Sequence, residues 1–188
     1  DAGVSAPKAD RLDATNDGLH ILGATAATNT LIDLSLQPGL PTGPCDPAGS
    51  KFTVTPGAPL ALPGVTATAI TGIDSTSDSS LAFVTYTGTG GVLPYYTPST
   101  GTIANIPLLA ATPTTPTTVA PIAPVAGVIS SDNTTFYIGT TGDNAVHLID
   151  RNTLTDDPAK TILPQLPGAN GGFAAPDLIV QRPRNSIS

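Results

Sequence analysis

The sequence has no glutamate, methionine or tryptophan, and lysine and arginine together supply only 7 of its 188 residues. Exposed helix faces are usually built from Glu, Lys, Arg, Gln, Ala and Leu. The composition therefore excludes a helical bundle or a coiled coil. Charged residues make up 11% of the chain and apolar residues 39%, so the high charge and low apolar content of a disordered protein are missing as well.

Three further absences narrow the functional classes. The single cysteine, Cys45, cannot form a disulfide within the chain. No run of 18 apolar residues is present, which predicts no membrane-spanning segment. The net charge is −7 and no Lys/Arg stripe exists, which disfavours nucleic acid as a partner.

Small and turn-forming residues are abundant instead, with 19 glycines, 20 prolines and many threonines and serines. This composition favours an all-β protein with a loop-rich surface. Richness in Thr, Ser, Gly and Pro with few Lys residues also predicts a secreted protein, located outside the cell or on its surface.

The chain contains three similar segments. Each has a polar turn, an apolar run, a Gly/Asn turn and an alternating run. The apolar runs cover residues 19–25, 81–87 and 135–141, and the alternating runs cover 29–34, 91–96 and 144–150. Asp78 and Asp132 are 54 positions apart, and Gly23 and Gly139 are 116 apart, or about 58 per repeat. Repeats of this length are typical of propellers and other β-arrays.

Each repeat is predicted to form a four-stranded blade. First strands are expected at 10–15, 67–73 and 125–129, and fourth strands at 51–55, 102–108 and 160–163. The blades would span approximately 8–62, 66–110 and 124–167, with a Thr/Pro-rich connection at 110–124. Because Leu81–Val84 and Phe136–Ile138 are almost wholly apolar, we expect neighbouring blades to cover these strands on both faces.

The third segment has the most specific sequence pattern of the three. Thr135-Phe136-Tyr137-Ile138-Gly139-Thr140, followed by Asn144-Ala145-Val146-His147-Leu148-Ile149-Asp150, resembles the YVTN-type β-propeller repeat. The first segment keeps Leu31-Ile32-Asp33, whereas the second departs most because Pro94 lies within its third strand. Proline lacks a ladder donor, so that strand should be bulged or peripheral. The resemblance implies a fold; the family has no single activity.

Three blades are too few for a closed ring, because propellers typically contain four to eight. The outer faces of the first and last blades would be bare, although burying apolar surface is worth about 25 cal/mol per Å². Either the chain is a piece of a longer propeller or other copies supply blades, as a six-bladed dimer or a filament. An extra C-terminal strand at 173–181 is expected to complete a blade or to join a neighbour's sheet. Its Leu178, Ile179 and Val180 are the candidate subunit-contact residues.

Few residues indicate chemistry. His20 and His147 lie on strands at non-equivalent positions, and no Gly-x-Ser-x-Gly, CxxC or HExxH motif occurs. We therefore expect no enzyme activity, no metal and no cofactor. Four aspartates are assigned to turns, with turn capping favoured over calcium binding: Asp74, Asp78, Asp132 and Asp143. Asn133 heads a glycosylation sequon, and the candidate O-glycosylation sites are Thr114, Thr115, Thr117 and Thr118; a bare extended loop is the alternative there.

These observations favour a secreted structural protein that self-assembles as a homo-oligomer or polymer, forming an extracellular filament, by completing its open propeller with neighbouring subunits. Two alternatives stay open at this point. One is an extracellular propeller that binds a protein or a glycan, and the other is a fragment of a longer propeller enzyme.

Overall fold

The structure is a computed structural model that describes residues 8–38, 52–110, 122–164, 176 and 178–180. These residues form three antiparallel sheets, each built from one continuous stretch of chain. The first sheet, blade 1, contains β1 (Arg11–Ala14), β2 (His20–Thr25), β3 (Thr30–Pro38), β4 (Phe52–Pro56) and β5 (Leu60–Ala61). Blade 2 contains β6 (Thr66–Ser75), β7 (Ala82–Thr89), β8 (Val92–Thr97) and β9 (Thr102–Pro107). Blade 3 contains β10 (Ala123–Ile129), β11 (Thr135–Thr141), β12 (Val146–Asp150) and β13 (Thr155–Asp156).

The fourth strand of blade 1 consists of two pieces. β4 pairs with one end of β3 and β5 with the other, on the same edge. Gly57 lies between them and donates its N–H to the Asp33 carbonyl oxygen at 2.8 Å. A Cβ atom at this position would lie 3.0 Å from that oxygen, so a larger residue would crowd this hydrogen bond. With β4 and β5 counted as one interrupted strand, each blade has four strands, and the predicted all-β, three-bladed fold is confirmed.

The fourth strand of blade 3 was predicted at 160–163, and this prediction is wrong. The pairing partner of β12 is β13, which precedes a 3₁₀ turn at Pro158–Lys160. The Asp157 side chain caps that turn by accepting the Ala159 N–H at 3.0 Å, and proline suits its first position because it has no N–H to lose. After the turn only Ile162 returns to the sheet, through two hydrogen bonds with Val146 of 2.7 and 2.8 Å.

The prediction that Pro94 would disturb its strand agrees with the pairing. β8 pairs along its whole length with β9, but it pairs with β7 only through Tyr95 and Tyr96. The ladder to β7 therefore stops at the residue that lacks a backbone donor. The strand itself is not peripheral, since it lies between β7 and β9.

A shared turn joins the first and second strands of every blade; we call residues 15–20, 76–81 and 130–135 the Asp turns. In each turn a hydroxyl at the first position donates to an aspartate two residues later: Thr15 to Asp17 at 2.6 Å, Thr76 to Asp78 at 2.7 Å and Ser130 to Asp132 at 2.5 Å. The fourth residue has a positive φ: 68° at Gly18, 58° at Ser79 and 60° at Asn133. Such turns favour Gly, Asn and Asp at positive φ and use an aspartate to cap backbone N–H groups.

The Asp turns also correct the expected repeat register. The first turn pairs Thr15 N–H with the His20 carbonyl, and the third pairs Ser130 N–H with the Thr135 carbonyl. Counting from these pairs, Gly23 corresponds to Ile138, and Gly139 lies one residue further along. The two glycines are therefore not equivalent, although their spacing first suggested the repeat.

The core lies between the blades. One buried cluster joins blades 1 and 2 and includes Leu22, Leu31 and Ile70. A second joins blades 2 and 3, where the rings of Phe83 and Phe136 stack with centroids 4.4 Å apart. The first strands are neighbours, since β6 contacts both β1 and β10. The sheets are thus stacked face to face through their apolar surfaces, as propeller blades are.

The predicted C-terminal strand at 173–181 is described only at residues 176 and 178–180, and none of these is in a strand. Pro176 instead packs on β11, where its carbonyl oxygen would lie 2.5 Å from a Cβ placed on Gly139. Proline has no N–H to donate to a strand ladder. Across the described part of the chain, no helix has the length and apolar character needed to span a membrane.

Candidate functional site: the uncovered blade faces

Blade 1 has one covered and one uncovered face. Successive residues of a strand point to opposite faces, and Leu22 and Ala24 of β2 point into the core shared with blade 2. Gly23 therefore lies on the opposite face, together with Leu12, Ile32 and Leu34 of the neighbouring strands. No other described blade packs on this side.

An apolar groove of about 290 Å³ lies on the uncovered face. Gly23 forms its floor, while Leu12, Ile32 and Leu34 form its walls and Lys8 and Ala9 border it. A Cβ added at Gly23 would be only 3.2 Å from side-chain carbons of Ala9 and Leu12, so the absence of a side chain lets these two residues pack closely over Gly23. The Leu12 side chain is 69% exposed. We call this site the blade 1 groove.

The outer face of blade 3 has a related arrangement with a different outcome. Phe136 and Ile138 point into the core, so Tyr137 and Gly139 face outward. Pro176 covers Gly139 on this face. Each outer face therefore has a glycine in its second strand: Gly139 is covered by Pro176, whereas Gly23 lines an open groove.

The candidate contact residues lie just beyond Pro176. Leu178 and Val180 are each 74% exposed, and Ile179 is partly exposed. Nothing in the structure tests their role in subunit contact. Among the glycosylation candidates, the Asn133 side-chain oxygen accepts the Ser77 N–H at 3.1 Å, and Thr114, Thr115, Thr117 and Thr118 lie outside the described residues.

His147 forms a closed cluster that the sequence analysis missed. Its Nδ1 lies 2.8 Å from Asp156 Oδ2 and its Nε2 lies 2.9 Å from Asp143 Oδ2. The histidine is 0% exposed. Burial by itself would lower the pKa of His147, but the hydrogen bonds and negative charges of Asp143 and Asp156 raise it to about 9. The result is a buried imidazolium that is held between two carboxylates and closed off from solvent.

His20 forms a second cluster, which crosses from blade 1 to blade 2. Its Nδ1 lies 2.8 Å from Asp33 Oδ2, and the Tyr96 hydroxyl donates to the same oxygen at 2.6 Å. Asp33 and Tyr96 also line a cavity of about 230 Å³. The sequence analysis placed His20 and Asp33 on strands, but nothing in the sequence indicated that Tyr96, 63 positions away, would reach Asp33.

The prediction that four aspartates lie in turns is wrong for Asp74 and agrees with the structure at Asp78. Asp74 was assigned to a turn, but it lies in β6, where it accepts the Ile129 N–H at 2.7 Å. Burial, followed by the nearby charge of Asp13, raises the pKa of Asp74, while the Ile129 hydrogen bond opposes the shift. Asp78 does cap its turn and also pairs with Arg151. Burial of Asp78 is outweighed by hydrogen bonds from Thr76, Ser80 and Arg151, so its pKa is well below the usual range. Within the described ranges, no set of three His, Cys, Asp or Glu residues is arranged to hold a metal ion.

Comparison with known proteins identifies the architecture. Hydrazine synthase of Kuenenia stuttgartiensis superimposes with a TM-score of 0.56 at 12% identity, over 95% of this chain and 41% of that one. A candidate 6-phosphogluconolactonase from Bacteroides fragilis gives 0.56 at 14% identity, over 89% and 40%. Another from Bacteroides uniformis gives 0.52 at 13%, over 78% and 37%. The fold is propeller-like.

These matches show a similarity of fold only, because the sequence identities are 12–14%. The chain spans about two-fifths of the length of the structures it matches. No family model and no curated sequence matches it. The predicted propeller is thus confirmed, whereas membership of the YVTN-type repeat family stays a prediction.

Proposed function

We propose that this propeller module is a secreted structural protein whose copies associate through their uncovered faces and build an extracellular filament. The observation that carries the proposal is the blade 1 groove. It is an apolar site on a face that a closed propeller would cover with another blade, and exposed apolar patches of this kind mark contact surfaces.

The two outer faces are unlike, which favours a filament over a closed pair. Blade 1 offers an open groove, whereas blade 3 has Pro176 across Gly139. When two different surfaces of the same protein bind each other, each added copy exposes a new binding surface. The result is an open polymer, unless the rotation between successive copies closes a ring.

The proposed occupant of the blade 1 groove is the segment 178–180 of a second copy. Leu178 and Val180 are exposed apolar side chains, and they lie two and four positions after Pro176, which packs on the outer face of blade 3. A whole blade fits the groove less well because of the Asp turns. Ser79 and Asn133 accept N–H groups from the preceding blade's turn, at 2.9 and 3.1 Å, but Gly18 has no side chain with which to do so.

A non-catalytic role and a location outside the cell are parts of the same proposal. The more deeply buried histidine, His147, is held between two carboxylates, so it is not free to act as a general base on a bound molecule. The abundance of Thr, Ser, Gly and Pro supports secretion.

Light scattering coupled to size-exclusion chromatography tests the association. We expect the mass of the wild-type chain to rise with concentration, and Leu12→Asp or Leu178→Asp to keep it monomeric because a carboxylate would be buried in an apolar contact. Leu19→Asp is the matched control, since Leu19 is 42% exposed but lies in a turn outside the groove. Negative-stain microscopy then separates filaments from closed rings. A wild-type chain that stays monomeric at every concentration rules out self-association.

A further inference from the structure

Asp33 has an uneven set of hydrogen bonds. Both the His20 ring and the Tyr96 hydroxyl bond to Oδ2, while Oδ1 is buried and has no partner among the described residues. An ionised carboxylate has about four acceptor positions. A buried carboxylate oxygen without a donor is unfavourable, so a donor from outside the chain that reached this oxygen would stabilise it.

The cavity beside Asp33 has the chemistry of a small binding site. It measures about 230 Å³ and lies where the outer strands of blade 1 meet the β8–β9 turn of blade 2. Ser35 and Thr55 supply hydroxyl groups, Leu60 supplies an apolar wall, and no lysine or arginine lines the cavity. The carboxylate of Asp33 therefore has no cationic partner in the cavity wall.

From this geometry we propose that the Asp33 cavity binds a short alkylammonium group, such as the end of a primary amine. Its N–H donors would bond to Asp33 Oδ1 and to the Ser35 and Thr55 hydroxyls, and its alkyl chain would lie against Leu60. Because Oδ1 is buried in the free protein, binding requires a rotation of the Asp33 carboxyl group that turns Oδ1 towards the cavity.

A sugar fits the same cavity less well. Sugar sites commonly offer an exposed aromatic face, but the Tyr96 ring is 2% exposed and belongs to the core between blades 1 and 2. The Tyr96 hydroxyl donates its hydrogen bond to Asp33. Burial, followed by the bond to Asp33 and its charge, raises the pKa of Tyr96, so the hydroxyl keeps its proton and remains a donor.

The test uses propylammonium chloride as the probe and backbone-amide NMR of the full chain carrying Leu12→Asp, so that its result does not depend on self-association. We expect propylammonium to shift the amide signals of Asp33, Ser35 and Thr55, and the neutral isostere 1-propanol to leave them unchanged. Asp33→Asn should weaken binding about tenfold or more, because it removes a charge-assisted hydrogen bond.

A second variant keeps the test decisive if Asp33→Asn fails to fold. Thr55→Arg places a competing cation in the cavity at an exposed position and should abolish binding, whereas Thr66→Arg, also exposed and outside the cavity, should not. The proposal is overturned if propylammonium produces no shifts, if 1-propanol or glucose shifts the same amides instead, or if Thr55→Arg binds propylammonium as tightly as the parent chain.

Discussion

At the scale of single residues, the stability of the fold depends on the charge of His147, because folding changes the pKa of this side chain. In the native protein Asp143 and Asp156 hold the imidazolium from both sides. In an unfolded chain the same side chain titrates near its ordinary pKa of 6.5, whereas its folded pKa is about 9. A group whose pKa is raised by folding stabilises the native state only while it is protonated in that state.

This difference predicts a pH dependence. The stabilisation by His147 is complete below pH 6.5 and is lost as the pH rises towards 9, so the free energy of unfolding should fall by roughly 3 kcal/mol over that range. Urea unfolding at pH 6, 7.5 and 9 measures the fall. His147→Gln should remove it, and His20→Gln, which changes the other histidine, should preserve it. A wild-type stability that is constant from pH 6 to 9 would contradict the prediction.

At the scale of single strands, the constraint on Gly88 in β7 is severe. Its φ is 138°, and a Cβ there would lie 2.1 Å from the Thr66 carbonyl oxygen of β6. The pairing of β6 with β7 shifts register at Ala67/Ala69, so the glycine lies beside a bulge that brings the two backbones together. Gly91 also has a positive φ, of 66°, but open space around it.

These two glycines give a matched pair of substitutions. Gly88→Ala should lower the free energy of unfolding by more than about 3 kcal/mol, because it combines a strained φ with a backbone clash. Gly91→Asn should cost less than about 1 kcal/mol, because asparagine tolerates positive φ and meets nothing. Chemical denaturation compares them, and equal losses in the two variants would show that the β6–β7 approach is not limiting.

The strands and their order within each blade could be predicted from local patterns and the repeat, but the side-chain contacts between blades could not. The apolar run 81–87 overlaps β7, and the three Asp turns appear where polar turns were expected, because hydrophobic patterning and turn chemistry act over a few residues. The last strand of blade 3 was misplaced, since two residues of β13 carry no pattern. Similarly, the link from Asp33 to Tyr96 depends on how two blades stack, and no local signal in the sequence contains that information.

At the scale of the whole molecule, the contribution of an apolar side chain to stability depends on whether the blade face that carries it is covered. Phe136 is fully buried and stacks on Phe83 across the boundary between blades 2 and 3. Leu12 lies on the outer face of blade 1 and is largely exposed. The three sheets therefore have two occupied boundaries and, on blade 1, an outer face with an open apolar groove.

This asymmetry predicts the stability of two variants. In dilute solution Phe136→Ala should cost about 3–5 kcal/mol, whereas Leu12→Ala should change the free energy of unfolding by no more than about 0.5 kcal/mol. Urea unfolding at low protein concentration provides both values. A large loss for Leu12→Ala under those conditions would mean that the blade 1 groove is already covered in the monomer.

The hydrogen bonds between neighbouring Asp turns have a mechanical consequence. Asn16 and Asp17 donate to Ser77 and Ser79, and Ser77 donates to Asn133, so each boundary between sheets is crossed by bonds near one rim. A force that separates the sheets would have to break these hydrogen bonds and the apolar packing between the sheets at the same time. A force applied to an outermost strand would instead break the hydrogen bonds of its ladder one at a time. If such units are joined in a fibre, we expect them to resist separation better than they resist unravelling from the edge.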